Sequence, residues 1–319
     1  MLKTRFTELF GLQYPVVSAP MANHSGGRLA AAVSRAGGLG TFGAINPGGA
    51  DWVREQVRYI KSHTERSYAA GFITAFIRGP EFDACLEEQV PVLIFSFGEP
   101  HDWLKRARDA GIRTMCQVQT LDGARQAVDL GADAIIAQGN EAGGHSGYMN
   151  TLPIVSMVLE IAPDIPVLAA GGIAGGRAMA AMLAAGADGV MLGTAFLATP
   201  EAVEARDSHK RIILESTGED TVHTQIYDFM SGAPWPPGVG GRVRRNAFMR
   251  AWEGRESELR GRREEILPRL REGQQSGDPE VESVWVGQGA GLVREIRPAA
   301  DIVTSISDEA ERILRERPP

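Results

Sequence analysis

Cysteine is almost missing from this 319-residue chain, with only Cys85 and Cys116, far apart and outside any metal-ligand spacing. That scarcity excludes a disulfide framework or a cysteine-built metal centre. Both thiols read as small core residues in a reducing, cytoplasmic compartment. The six histidines show no metal spacing either. No apolar run approaches the length of a membrane span. The opening residues, Met1-Leu2-Lys3-Thr4-Arg5-Phe6-Thr7-Glu8, lack the apolar core of a signal peptide. Basic charge is in deficit, with 33 Lys and Arg against 40 Asp and Glu for a net −7. Nucleic acid and anionic membranes are therefore poor partners.

Glycine, by contrast, is abundant at 38 residues, and 43% of the chain is hydrophobic. That length and apolar content support one large α/β domain with an added subdomain, or two ordinary domains. Short apolar runs at 15–18, 39–43, 68–72, 92–96, 113–117, 134–138, 167–170 and 189–192 read as strands. Helical segments lie between them, at 28–36, 52–61, 102–110, 121–130 and 177–185 among others. Several end in Ala-Gly or Leu-Gly, as at Ala36-Gly37, Ala110-Gly111, Leu130-Gly131 and Ala185-Gly186. Glycine just past the last turn is a left-handed helix stop, and the next strand begins within a few residues. A βα repeat of this kind requires parallel strands covered by helices. Without a topological switch point, the pattern predicts a (β/α)8 TIM barrel rather than an open doubly wound sheet.

After Thr199-Pro200 the rhythm breaks. Residues 201–285 show no clean strand pattern and carry dense charge, as in Arg260-Gly261-Arg262-Arg263-Glu264-Glu265, which reads as a solvated helix face. The expected organisation is a barrel from residues 1–200 and 286–319, closed by a helix at 298–314. The inserted helical subdomain of 201–285 would hold substrate or act as a lid. Within it, Pro234-Trp235-Pro236-Pro237-Gly238-Val239-Gly240-Gly241 joins a stiff turn to a flexible one. An insertion after the eighth barrel strand lies on the rim that carries active sites.

Three strand ends carry candidate chemistry. Gln138-Gly139-Asn140-Glu141-Ala142-Gly143-Gly144-His145-Ser146-Gly147 places a histidine among glycines just past a strand. A proton can be exchanged there near neutral pH, so His145 is the candidate catalytic residue. Gly171 and Gly172, then Gly193 and Thr194, end the next two strands and can offer backbone amides and a hydroxyl to a phosphate. The helix beginning near Gly175-Gly176-Arg177 would add a positive end. Pro20-Met21-Ala22-Asn23-His24 closes the first strand, either as a seat for a flat aromatic ring or as a plain βα turn. Gln117 and Gln138 end strands whose side chains point into the barrel mouth, where an amide can bond cofactor carbonyls and ring nitrogens. Gly287-Gln288-Gly289-Ala290-Gly291 lacks the helix and acidic residue of a dinucleotide loop. The histidine segments do not fit the G-x-S-x-G of a hydrolase elbow.

Together, Pro15-Val16-Val17-Ser18-Ala19-Pro20-Met21, the Gln138–Gly147 segment, Ala170-Gly171-Gly172-Ile173-Ala174-Gly175-Gly176-Arg177 and Leu192-Gly193-Thr194-Ala195-Phe196-Leu197 resemble the nitronate monooxygenases, formerly 2-nitropropane dioxygenases. The Gly287–Leu292 stretch is similar to the loop before that family's final helix. Flavin-dependent enoyl-acyl-carrier-protein reductases share the Glu-x-Gly-Gly-His pattern and the phosphate loops. The resemblance implies FMN, with its ring against Met21, Ala22 and Asn23 and with Gln117 and Gln138 facing the ring and ribityl edges. Gln117 stands where some relatives carry lysine. Gly147, Gly171, Gly172, Gly193 and Thr194 would hold the ribityl-phosphate end, Gly144 would also contact the cofactor, and His145 would face substrate. The implied reaction is oxidation of alkyl nitronates or nitroalkanes with O2 to a carbonyl compound and nitrite. The alternatives are an NAD(P)H-dependent reductase of enoyl thioesters or quinones, and a flavin- or phosphate-binding module without turnover. A homodimer is left open.

Overall fold

The computed structural model describes residues 2–316. Apolar runs bounded by helix stops form most of its strands, and Gly37, Gly111, Gly131 and Gly186 all take the positive φ expected of such stops. In chain order the strands are β1 (Val16–Ser18), β2 (Gly40–Gly43), β3 (Tyr68–Ile73), β4 (Val92–Ser96), β5 (Arg113–Val118), β6 (Ala134–Gln138), β7 (Gly144–Ser146), β8 (Val167–Ala170), β9 (Gly189–Leu192), β10 (Thr221–Thr224) and β11 (Gly240–Arg244). Eight of them form one sheet in the order β1-β9-β8-β6-β5-β4-β3-β2. Every pairing in it is parallel. A bridge between Val17 and Leu39 joins the two ends, with the Leu39 N–H donating to Val16 O at 2.9 Å. The sheet is thus a closed TIM barrel with helices between its strands, as the repeat predicts.

Strand periodicity sorts the core into two layers. Val17, Ala69, Val92, Ile94, Met115, Ala134, Ile136, Leu168 and Met191 cluster inside the barrel. The alternate residues, such as Phe42, Phe72, Phe95 and Val190, pack outward against the helices. A short helix that periodicity did not reveal, Arg5–Phe10, joins the inner cluster through Phe6 and Phe10. It is fixed by Thr4, whose hydroxyl caps the Thr7 N–H, and by Arg5, which donates to the Asp188 carboxylate at 2.7 and 3.0 Å.

Residues 201–285 contain the expected helices, including Asp207–Glu215, Ile226–Ser231, Ala247–Trp252 and Arg263–Ser276. Their charged run is laced by exposed pairs such as Arg255–Glu258 and Arg262–Glu265. The segment also builds what its sequence hid: β10 and β11 pair antiparallel, and β11 then pairs with β7 from the barrel's histidine loop. A separate apolar cluster centred on Ile226, Tyr227, Met230, Val243, Met249 and Trp252 supports this sheet. A polar seam joins the segment to the barrel rim. His209 Nε2 lies 2.7 Å from Glu282 Oε1, Arg206 bonds the same oxygen at 2.9 Å, and His24 meets His209 edge-on.

Two outcomes follow from these contacts. A Cβ added at Gly40 would lie 1.8 Å from the backbone oxygen of Ala30, where helix and strand touch. Gly40→Ala should therefore cost about 3 kcal/mol, the upper part of the usual overpacking range, read as a lowered denaturation midpoint. Burial, then the neighbouring His209 and Arg206, depress His24 from 6.5 to about 4. A depressed group binds fewer protons folded than unfolded, so its contribution is intact above pH 6.5 and is lost as pH falls towards 4. Stability should drop across that window by up to about 3 kcal/mol from this group. Chemical denaturation of His24→Gln at each pH should show a shallower decline than the parent.

Candidate active site

At the C-terminal ends of the barrel strands the inward-facing rows change from bulky apolar residues to small or polar ones. Ala69-Gly71, Val92-Ile94-Ser96, Met115-Gln117, Ala134-Ile136-Gln138, Leu168-Ala170 and Met191-Gly193 are read by taking every second residue. The upper members, Gly71, Ser96, Gln117, Gln138, Ala170 and Gly193, line a cavity of about 430 Å³. That volume falls within the roughly 300–1,000 Å³ of cofactor and small-molecule sites.

One wall is backbone. Gly171 and Gly172 have φ of 117° and 68°, a turn that residues with a side chain rarely adopt. Gly171, Gly172, Ile173 and Ala174 line the cavity, and among the described residues none of their N–H groups donates to another protein group. A run of consecutive amides without protein acceptors is the kind of backbone that anion-binding turns use. Gly193 and Thr194 stand beside them, and the Thr194 oxygen accepts from Gly287 N at 3.1 Å. The Gly287–Gly291 loop, which fails the dinucleotide pattern, thus completes this wall through Gly287 and Gly289. The expected contribution of the Gly175-Gly176 helix start is absent from it. Glu309 takes the Gly176 N–H at 3.0 Å, so that amide is already neutralised by a carboxylate.

The adjoining wall is the turn of Met21, Ala22, Asn23 and His24, whose Met21 Sδ would lie 3.6 Å from a Cβ on Gly193. Asn23 has φ of 62°, and a Cβ on Gly43 would meet Ala22 Cα at 2.9 Å, so strand β2 closely backs this turn. On the floor the two glutamines differ. Gln138 Oε1 accepts from Gln119 Nε2 at 2.9 Å, and its own Nε2 donates to His145 O at 3.1 Å. Its amide therefore chiefly holds the histidine loop. Gln117 has no such side-chain bond among the described residues and lies open to the cavity.

His145 sits in β7 opposite Gly241 of β11. Its ring stacks on Trp235 at 3.6 Å and 16°, with Trp285 on another side at 4.8 Å. Nε2 lies 2.8 Å from Asp228 Oδ1, a carboxylate only 11% exposed. Trp235 also meets Phe76 and Phe97 edge-on. Of the residues singled out by sequence, Met21, Ala22, Asn23, Gln117, Gln138, Gly144, His145, Gly171, Gly172, Gly193 and Thr194 all line this one cavity. Gly147 does not. It packs under the loop, where a Cβ would meet Gln119 at 2.9 Å. Asp228, Trp285, Phe76 and Phe97 carried no local motif. Only the fold brings them to the histidine.

The chain matches the nitronate monooxygenase family model over residues 3–74 and 73–309. It is 29% identical to a probable nitronate monooxygenase of Staphylococcus aureus, covering 98% of this chain and 99% of the relative. Among solved structures it resembles FabK from Thermotoga maritima, with 33% identity, a TM-score of 0.86, and 99% and 98% of the two chains covered. It also resembles nitroalkane oxidase from Streptomyces ansochromogenes, with 30% identity, a TM-score of 0.83, and 98% and 99% covered. A family match spanning nearly the whole barrel and insertion, joined to a histidine-bearing cavity at the barrel mouth, means that the chain belongs to the nitronate monooxygenase family of oxidoreductases.

Proposed function

We propose that this protein oxidises alkyl nitronates, and nitroalkanes by way of their nitronates, using FMN and O2. The reading is supported chiefly by one cavity lined both by the four free amides at Gly171–Ala174 and by His145. The amides suit a single phosphate. The Met21–Asn23 turn offers a flat seat and Gln117 an open amide for a ring system. One phosphate at that wall is what FMN, rather than FAD, would present. Bound FMN would accept electrons from the nitronate and pass them to O2, giving carbonyl compound and nitrite.

The chain's own residues would supply binding and proton transfer. Gly171, Gly172, Gly193 and Thr194 would hold the phosphate end. Trp235, Phe76, Phe97 and Trp285 would exclude water around the reacting carbon. His145 would remove the α-proton of a neutral nitroalkane, or, in its protonated form, donate to the nitro oxygens when a nitronate enters already deprotonated. The 33% identity to FabK supports a second reading, an NAD(P)H-dependent reductase of enoyl thioesters or quinones on the same site.

Mass spectrometry of chromophore released by denaturation should show FMN; FAD or no flavin would overturn the cofactor assignment. Anaerobic mixing should then bleach the flavin with a nitronate and leave it oxidised with NADH or NADPH, the reverse result favouring the reductase. His145→Ala should keep its flavin while neutral nitroalkane turnover falls by about 10²–10⁴-fold, the usual size of a general-base contribution. Preformed nitronate should lose far less. Equal losses for both substrates would make His145 a binding group rather than a base.

A further inference from the structure

We infer that Asp228 is a positioning residue that fixes which nitrogen of His145 acts as the base. This rests on the nitroalkane reading above. The two residues are 83 positions apart, yet His145 Nε2 stands 2.8 Å from Asp228 Oδ1 with both side chains largely buried. Asp228 does not line the cavity, and the other carboxylate oxygen, Oδ2, is buried without a protein partner. His145 is therefore the group to which this carboxylate is addressed.

The consequence for the imidazole is chemical. An ionised carboxylate only accepts hydrogen bonds, and a neutral imidazole carries one N–H. Nε2 must hold that hydrogen, which leaves the lone pair on Nδ1. The rest of the site keeps the ring from exchanging its edges. Trp235 and Trp285 bracket it, Gln138 holds its backbone oxygen, and β11 fixes its strand. The anchor is itself fixed. Asp228 lies in the helix Ile226–Ser231, whose end is closed by Gly232 at φ 74°, with its N–H donating to Asp228 O. The other titratable groups on neighbouring strands are cationic or neutral in character. His223 of β10 is kept towards its neutral form by burial and then by Arg242, and Arg242 of β11 sits beyond it.

In the proton-transfer step the α C–H bond of the nitroalkane breaks. Its electron pair moves into the nitro group to make the nitronate, and the proton goes to Nδ1. The imidazolium so formed keeps its Nε2–H on Asp228 as a charge-assisted bond. No electron changes hands in this step. The carboxylate thus acts twice, by selecting the tautomer beforehand and by stabilising the cation afterwards.

The test uses the flavin-loaded enzyme and Asp228→Asn, with Asp228→Glu as the conservative variant. Nitrogen-15 NMR of histidine-labelled protein, with the His145→Ala variant to assign the signal, should show Nε2–H and a lone-pair Nδ1 in the parent. Asp228→Asn should lose that preference, because an amide can also donate to the ring. Its turnover of neutral nitroalkane should fall by about 10²–10⁴-fold, the range for a misplaced tautomer or lost base, while oxidation of preformed nitronate stays within about threefold. Asp228→Glu should recover part of both the NMR signature and the rate. The proposal is overturned if the parent carries its proton on Nδ1. It is also overturned if Asp228→Asn leaves tautomer and nitroalkane rate unchanged, or if both substrates lose rate equally. If the parent turns over neither nitro substrate, the functional reading fails, and the NMR result still decides the role of Asp228. Should Asp228→Asn not fold, the parent spectrum and Asp228→Glu carry the decision.

Discussion

The pairing of β7 with β11 is the contact on which the rest of the site depends. It places His145 opposite Gly241, so a residue that belongs to a barrel loop is held in register by a strand of the insertion. Gly241 is required there because the Trp285 ring occupies the space of its side chain, with Cζ3 only 2.2 Å from where a Cβ would sit. The same pairing brings Trp235, just before β11, over the imidazole. The helix between β10 and β11 brings in Asp228. Three independent constraints on one ring thus come from one short antiparallel sheet. A histidine on a glycine-rich loop alone would have no fixed edge and no defined proton position.

The barrel contributes a different kind of order. Its strands deliver polar or small residues to the rim only because the inward period of two continues past the apolar layers. The four amides of Gly171–Ala174 follow from two positive-φ glycines and, among the described residues, have no protein acceptor. Leaving such groups unmet away from water costs about 1–3 kcal/mol each. Their free state therefore favours an anionic partner or ordered solvent at that wall. Because the turn is built in advance, binding need not reorganise it.

How far the sequence carries this architecture depends on the range of the interactions involved. The eight barrel strands are legible because they are short apolar runs, several preceded by a local helix stop, and the structure leaves four of them unchanged and moves one end of each of the others by one residue. Gln117, Gln138 and the glycine pairs are legible because strand ends of a barrel converge by rule. β7, β10 and β11 are not. Gly144-His145-Ser146 is too short to show a period, and Gly240-Gly241-Arg242-Val243-Arg244 begins with two glycines and carries charge. Those residues are chosen by cross-strand contacts: Gly241 by Trp285, and Arg242 by the Asn140 oxygen it bonds at 2.8 Å. Asp228 is hidden for the same reason, since nothing within its own helix marks it. The Arg5–Phe10 helix is too short to show a period, although its capping threonine is visible once the structure points to it.

The boundary drawn at residue 200 is consequently a boundary of the chain and not of the site. Trp235 lies in a stretch without regular structure, between Gly232 and Gly238, both at positive φ. Its ring is held by three barrel loops, through Phe76 after β3, Phe97 after β4 and His145 in β7. Phe97 itself adopts φ of 58°, a conformation that costs an aromatic residue on the order of 1–3 kcal/mol. The fold tolerates that strain at the point where a phenylalanine must turn back towards the cavity mouth. The indole therefore covers one face of the imidazole while the Asp228 carboxylate meets its Nε2 edge. Two separate parts of the insertion thus constrain the same ring, the segment before β11 at its face and the helix Ile226–Ser231 at its edge.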